Sequence, residues 1–295
     1  MKPSLVIATK NRKDDLRRAI ISAAHQTESL EIIVVDDGSS DGTAEMVRRE
    51  FPRIRLVRSA TSIGHVAQRN RGAILSSGDI IFSIDDDAEF STPYVVAQTI
   101  KEFCHPRIGA VAIPYIEPKK SGRCFQRAPD TDAIWVTESF RGTAYAIKRD
   151  IFNEVGGFRD DIVHQGEEMD FCIRLLAHGW FVRLGTGDAI IHHEAPSRDW
   201  SRMDFYGRRN DILFAWRNVP MPYMPTHLVA TTLNGLRWAF SSRGSTQMLL
   251  GMGSAYKEII LNRCECRPVS KRTYRLHRIL RKKGPRALQE VAHLL

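Results

Sequence analysis

No CxxC pair occurs in the 295 residues, and the five cysteines, an odd number, are scattered at 104, 124, 172, 264 and 266. That pattern excludes a disulfide-built secreted module and reads as the reduced thiols of a cytosolic protein. Cys264 and Cys266 also lack the second ligand pair that a structural zinc site needs. Membrane-spanning runs are missing too. The longest uncharged stretch, 218–236, is interrupted by Pro220, Pro222, Pro225, His227 and Asn234 and is too polar to cross a bilayer. Met1-Lys2-Pro3-Ser4 leads directly into an apolar, strand-like segment, so no secretory leader is expected. A glycine-rich phosphate loop is absent near the start. Ala8-Thr9-Lys10-Asn11-Arg12 contains no glycine, which counts against a nucleotidyltransferase of α/β build. Repeats and low-complexity segments are absent.

What is present is ordinary in amount and unusual in placement. A hydrophobic content of 43% and a charged content of 26% suffice for a sizeable buried core. The net charge is +9, but residues 263–295 carry ten Lys/Arg against Glu265 and Glu290, which leaves +1 for residues 1–262. A neutral body with a basic C-terminal segment suggests a polyanionic partner, or else a solvated helical face. Nucleic acid is the weaker choice of polyanion. The tail has one aromatic residue, Tyr274, where single-strand binders interleave several.

The first hundred residues alternate between two hydrophobic periods. Leu5–Ala8, Ile32–Val35, Ile54–Val57 and Ile80–Ile84 are short apolar runs. Between them, 14–25, 43–50 and 66–75 carry apolar residues at helical spacing. Near-continuous apolar strands separated by helices predict a mainly parallel sheet covered on both faces. Further on, 114–132 reads as a loop, Phe140–Ile147 as a strand, 149–155 and 168–178 as helices, and 181–184 and 189–191 as short strands. Residues 228–240 and 248–261 read as helices preceding the basic segment. This gives an α/β domain over 1–220 and a helical extension with a basic tail over 221–295.

The chemistry concentrates at strand ends. Asp36-Asp37-Gly38-Ser39 follows the second strand and Asp85-Asp86-Asp87 follows the fourth. In an open α/β sheet, ligands bind beyond the carboxyl ends of the strands, so Thr9, Asp37 and Asp85–Asp87 can meet in one crevice. Alternation sends Asp85 and Asp87 to the same side. Such a pair suits a hard divalent cation, Mg2+ or Mn2+, which commonly also takes phosphate oxygens. A solvated acidic turn is the plainer alternative.

The strand-end carboxylates, in order with Gly64…Arg69-Asn70-Arg71-Gly72, Gly156-Gly157-Phe158 and Gly166-Glu167-Glu168-Met169-Asp170, resemble family 2 of the inverting, nucleotide-sugar-dependent glycosyltransferases. That family has the GT-A fold, and the resemblance covers roughly residues 3–220. Val6-Ile7-Ala8-Thr9-Lys10-Asn11-Arg12 looks like its first strand and loop. One departure is Glu167-Glu168, where the family often has Glu-Asp.

The resemblance implies a nucleoside-diphosphate sugar donor, UDP or dTDP favoured, and a glycan or lipid-linked acceptor. It assigns Thr9, Asn11 and Asp37 to the nucleotide shelf, Asp85 and Asp87 to the metal, and Asp86 to the ribose or sugar. Arg69 approaches the nucleotide or forms a helix-face salt bridge. Arg208-Arg209-Asn210 offers cations, Arg209 among them, to the leaving diphosphate. His192 matches a family position near the metal or diphosphate, or is a core histidine. Glu168 is the expected general base, with Gly142 and Glu167 on the acceptor side. The acidic run 167–170 equally suits a helix N-terminus, and Asp170–Arg174 a structural i,i+4 pair. The apolar helices and basic tail imply a cytoplasmic protein lying on the inner face of the plasma membrane; the alternative is that those helices pack on the catalytic domain or form a homodimer interface, leaving the tail solvated.

Overall fold

The computed structural model describes residues 1–120, 122–193, 199–241, 245–261, 263 and 265–295. In chain order, the first half runs β1 (Pro3–Thr9), α1 (Lys13–Ala24), β2 (Glu31–Asp36), α2 (Thr43–Glu50), β3 (Arg55–Arg58), α3 (His65–Leu75), β4 (Ile80–Ile84), β5 (Ala88–Phe90), α4 (Val95–Lys101), β6 (Ile108–Ala112), β7 (Tyr115–Ile116), β8 (Cys124–Phe125) and β9 (Trp135–Thr137). The second half runs β10 (Ala144–Lys148), α5 (Arg149–Val155), α6 (Glu167–Ala177), β11 (Phe181–Leu184), β12 (Ile190–His192), α7 (Trp200–Asn218), α8 (Tyr223–Ala239), α9 (Thr246–Ile260), α10 (Lys271–Lys283), β13 (Arg286–Ala287) and α11 (Leu288–Val291).

Nine strands form the main sheet in the order β13-β9-β11-β6-β10-β4-β1-β2-β3, and β5, β12, β7 and β8 form a smaller one. β1 pairs in parallel with both β2 and β4, so Thr9, Asp36 and the residues after Ile84 leave the sheet at one edge. The two-residue period of the strands divides the core. Leu5, Ile7, Phe82 and Ile84 pack into one apolar cluster, while Val6, Ile33, Val35 and Ile81 pack into another on the opposite face. Burial on both faces is what made these strands read as continuous apolar runs.

α3 lies very close to the sheet. A Cβ on Gly72 would come within 2.2 Å of Val6 Cγ1, so only glycine permits this approach. That closeness holds Arg69, one turn earlier on the same helix, buried at the sheet's carboxyl edge.

The expected strand at Phe140–Ile147 is shorter and later, Ala144–Lys148. Residues 141–144 turn instead, closed by the Ala144 N–H donating to the Arg141 carbonyl at 3.0 Å. The expected loop 114–132 contains two short strands, β7 and β8. α8 begins before Pro225 rather than after it. Proline is tolerated there because first-turn N–H groups have no intrahelical acceptor.

The basic segment is not a free tail. Tyr274, Leu276, His277 and Leu280 of α10 are buried; Leu276 and Leu280, with Leu288 and Val291, join the apolar cluster that contains Leu5 and Phe82, and β13 pairs with β9. The lysines and arginines of α10 are exposed except Arg278, which is half-buried. Lys271, Arg275, Arg278 and Lys282 recur at helical spacing along one stripe. Cys264 lies outside the described residues, and Cys266 is exposed and free.

Candidate active site

A cleft of about 810 Å³ opens at the carboxyl edge of β1, β2 and β4. Thr9, Asp37, Arg69, Asp85, Asp86, Asp87, Gly142, Glu167, Glu168 and His192 all line it. The walls therefore come from residues as far apart in the chain as Ala8 and Asp211.

At the centre, Asp85, Asp87 and His192 bring ligand atoms within 4.8 Å of one another. Asp87 Oδ1 is buried and has no aligned hydrogen-bond donor, although His192 Nε2 lies 3.3 Å away. A buried carboxylate oxygen left this way is what a cation would satisfy, and the two-carboxylate, one-imidazole donor set fits Mn2+ or Mg2+. His192 Nδ1 faces Glu117 Oε1 at 3.3 Å, which holds the ring with Nε2 toward the aspartates. Burial alone would lower the His192 pKa, but Asp87, Asp85 and Glu117 outweigh it and raise it. Burial likewise opposes ionisation of Asp87, yet His192 and Arg12 hold that carboxyl down at about 2.

Asp86 points the other way. Thr9 Oγ1 donates to its Oδ2 at 2.8 Å, and Arg12 bridges Asp86 and Asp87 at 3.0 and 2.7 Å. Burial pushes Asp86 up to about 7, against the pull of Arg12 and with the help of Asp87. Asn11 adopts φ 54° and accepts the Ser40 N–H at 2.8 Å, tying the β1 loop to the β2 loop. Asp37 faces the cleft, but its oxygens accept from Ser62, Ile63 N–H, Gly64 N–H and Gln68, so it also anchors loop 62–64. The turn over Gly38-Ser39 is capped by the neighbouring residue, with Ser39 N–H donating to Asp36 Oδ1 at 2.8 Å.

Arg69 joins the two halves of the cleft. Its guanidinium pairs with Asp85 and faces Glu167 at 3.4 Å. Glu167 is buried and also meets His65 Nε2 at 3.1 Å. Burial would raise its pKa, but His65 and Arg69 outweigh that and lower it. Glu168, the next residue, takes the opposite shift. Burial and the Glu167 charge push it up to about 7. Its Oε1 accepts the Gly142 N–H at 2.9 Å.

Glu168 also lines a second cavity of about 840 Å³, with α8 and α10 on its far side. Glu167 does not line it. Asp170 lies away from the cleft. It is buried beneath Arg159, Arg174 and Asn218, which fits the structural pair anticipated for Asp170–Arg174.

The structure does not bring Arg209 to the cleft. Its guanidinium pairs with Glu258 of α9 at 2.8 Å and donates to the Asp161 carbonyl. Neighbours on a helix point about 100° apart, so Arg208 lines the cleft and Arg209 turns inward. Asn210 binds the carbonyls of His164 and Gln165, fixing the loop ahead of α6. Sequence reasoning missed Glu117, His65 and the bridging role of Arg12. Glu117 sits in a stretch read as loop, and nothing local marks it as a neighbour of His192.

Residues 4–159 match the family model described as Glycosyl transferase family 2. The uncharacterized glycosyltransferase YwdF of Bacillus subtilis is 32% identical over 223 residues, spanning 72% of this chain and 82% of that protein. Among solved structures, mannosyltransferase PcManGT from Pyrobaculum calidifontis in complex with GDP-Man and Mn2+ aligns with a TM-score of 0.60 at 18% identity, covering 95% of this chain and 84% of its own. S. aureus TarS 1-349 in complex with UDP-GlcNAc aligns at 0.66 and 15% identity, covering 100% of this chain and 90% of its own. At these identities the two structures share the fold.

Proposed function

Because the chain belongs to glycosyl transferase family 2, we propose that it moves a sugar from a nucleoside-diphosphate donor, UDP or dTDP as nucleotide, to an acceptor hydroxyl with inversion at the anomeric carbon. The observation that carries this reading is the place of Glu168. It stands where the metal-type cleft meets the second cavity, positioned by Gly142 and held close to neutrality. A base shared by two cavities touches the acceptor from one and the donor carbon from the other.

In the proposed step the acceptor oxygen forms a bond to the anomeric carbon from the face opposite the leaving group. Its proton passes to Glu168, the carbon–oxygen bond to the diphosphate breaks, and the nucleoside diphosphate leaves with the electron pair. Asp85, Asp87 and His192 would hold Mg2+ or Mn2+, which when bound neutralises the diphosphate as a Lewis acid. Thr9 and Arg12 orient Asp86 toward the donor. Arg69 keeps Glu167 ionised beside Glu168, and that charge maintains the raised affinity of Glu168 for a proton. Arg208, rather than Arg209, supplies a cation to the cleft.

A donor panel tests the reading. Purified protein is given UDP-, dTDP- and GDP-sugars with Mn2+, Mg2+ or chelator, and nucleoside diphosphate release is followed with product anomeric configuration by NMR. Retention of configuration, or full turnover in chelator, contradicts the mechanism.

Among the described residues no helix is long and apolar enough to cross a membrane. We place the protein in the cytoplasm, peripheral to an anionic inner membrane face. Val229, Leu233 and Phe240 are exposed along one side of α8, and Lys271, Arg275 and Lys283 of α10 are exposed outside the second cavity. Pelleting with anionic vesicles at low salt and release at high salt is the expected result. A dimer in solution that covers α8 and abolishes pelleting would assign this face to self-association.

A further inference from the structure

The second cavity has a composition that a neutral sugar does not need. Phe214, Tyr223 and Tyr274 form an aromatic wall, and Arg278, Arg281 and Lys282 stand beside it. On α10 these cations are three and four residues apart, so they are surface neighbours that repel one another. Among the described residues no carboxylate forms an ion pair with them. Among the described residues, Arg281 and Lys282 make no hydrogen bond or ion pair, and Arg278 donates only to the Tyr274 hydroxyl, at 3.0 Å. Asp211 is the carboxylate near Arg281, but its ion pair is with Arg208 at 3.0 Å. His227 accepts or donates through Nδ1 with the same Tyr274 hydroxyl at 2.8 Å, and burial beside Arg278 and Arg281 lowers its pKa to about 4. It is therefore neutral at pH 7 and adds a polar contact without charge. Thr226, Thr231 and Asn234, also in the lining, can bond either sugar hydroxyls or anionic oxygens.

The arrangement of charge along the cavity is directional. Arg141, Gly166, Glu168 and Asp211 are common to this cavity and the donor cleft, whereas Arg278, Arg281 and Lys282 line only the second. We propose that this cavity binds an acceptor carrying a phosphate or diphosphate group, with the anion on Arg278, Arg281 and Lys282, an apolar or sugar portion on Phe214, Tyr223 and Tyr274, and the nucleophilic hydroxyl at Glu168. Three cations on two successive turns, none of them ion-paired among the described residues, match several anionic oxygens better than one carboxylate. The role of Glu168 rests on the transferase reading above; the anion site rests on the cations alone.

The test titrates full-length protein in chelator with inorganic phosphate, farnesyl phosphate and glucuronate by calorimetry, and repeats each titration with R281A/K282A, with D87A and with the exposed-face control R237A. Phosphate-bearing probes should bind the wild type, lose roughly tenfold or more in R281A/K282A, and keep their affinity in D87A and R237A. Arg281→Lys should restore most of the binding to a fold verified by circular dichroism. Farnesyl phosphate binding more tightly than inorganic phosphate assigns a lipid-linked acceptor, and equal affinities assign a soluble phosphorylated one. Absence of phosphate binding, binding that survives R281A/K282A, or glucuronate bound in preference overturns the proposal. The donor panel is read separately. An inactive panel with intact phosphate binding removes the transferase mechanism and leaves the anion site, whereas an active panel without phosphate binding removes the anion site alone.

Discussion

Gly142 and Glu168 are bound to each other across the active site, the backbone N–H of Gly142 donating to Glu168 Oε1 at 2.9 Å. The same glycine leaves room for Arg69. A Cβ at position 142 would lie 2.6 Å from Arg69 Nη1 and 2.8 Å from Glu168 Oε1. One missing side chain thus allows the candidate base Glu168 and Arg69, the cation between Asp85 and Glu167, to sit together.

Gly142→Ala should therefore act on catalysis more than on folding. The added methyl group has to displace Arg69 or Glu168, and a misplacement of that order costs about a hundredfold in rate. Turnover number and donor Kd are the measurements. Unchanged turnover with a normal melting temperature would mean that the site tolerates a shifted Glu168.

Glu168→Gln keeps shape and removes the proton acceptor. Turnover should fall by roughly two to four orders of magnitude while donor binding is preserved. Asp170→Asn should chiefly lower the melting temperature, since Asp170 is buried beneath Arg159, Arg174 and Asn218. Normal turnover in Glu168→Gln would remove its assignment as base.

The pH profile follows from the same residue. Glu168 acts as a base only when ionised, and burial with the Glu167 charge raises its pKa to about 7. Turnover should rise with pH below about 7, tenfold per unit, and level off above it. Asp86, raised to about 7 mainly by burial, titrates in the same range. The residual rate of Glu168→Gln separates them: an acid limb that persists there belongs to Asp86.

Metal affinity should depend on a residue that is not itself among the candidate ligands. Glu117 orients His192 through Nδ1, and loss of such a partner costs about 10–100-fold in metal affinity. Glu117→Gln should weaken Mn2+ binding by that factor in calorimetry, whereas Asp87→Ala should abolish it. Equal Mn2+ affinity in wild type and Asp87→Ala would remove the ion from this site.

Arg209 gives the opposite expectation. Its pairing with Glu258 joins α7 to α9, so Glu258→Ala should destabilise by about 1–3 kcal/mol, the usual cost of stranding a buried polar group, and leave the donor Kd alone. A weakened donor with an unchanged melting temperature would return Arg209 to the cleft.

Much of this molecule was legible along the chain. β1, β2 and β4 were evident because burial on both faces makes parallel strands read as apolar runs, and the three covering helices show their own period. Asp85, Asp87, Glu167 and Glu168 were legible because carboxylates packed side by side repel unless something uses them. α7 was not anticipated, because it is wrapped on several sides and carries polar residues on its buried faces, such as Arg209, Asn210 and Asn218. That leaves no apolar stripe to detect.

The sequence by itself determined the periodicities and the order of the acidic motifs, since both are properties of neighbours in the chain. Tertiary structure alone decided which of Arg208 and Arg209 faces the cleft, that Glu117 reaches His192 across 75 positions, and that the basic segment buries one face of α10 while offering the other. Those outcomes depend on which distant surface a helix or loop packs against, and a side chain's direction is settled only when that packing is made.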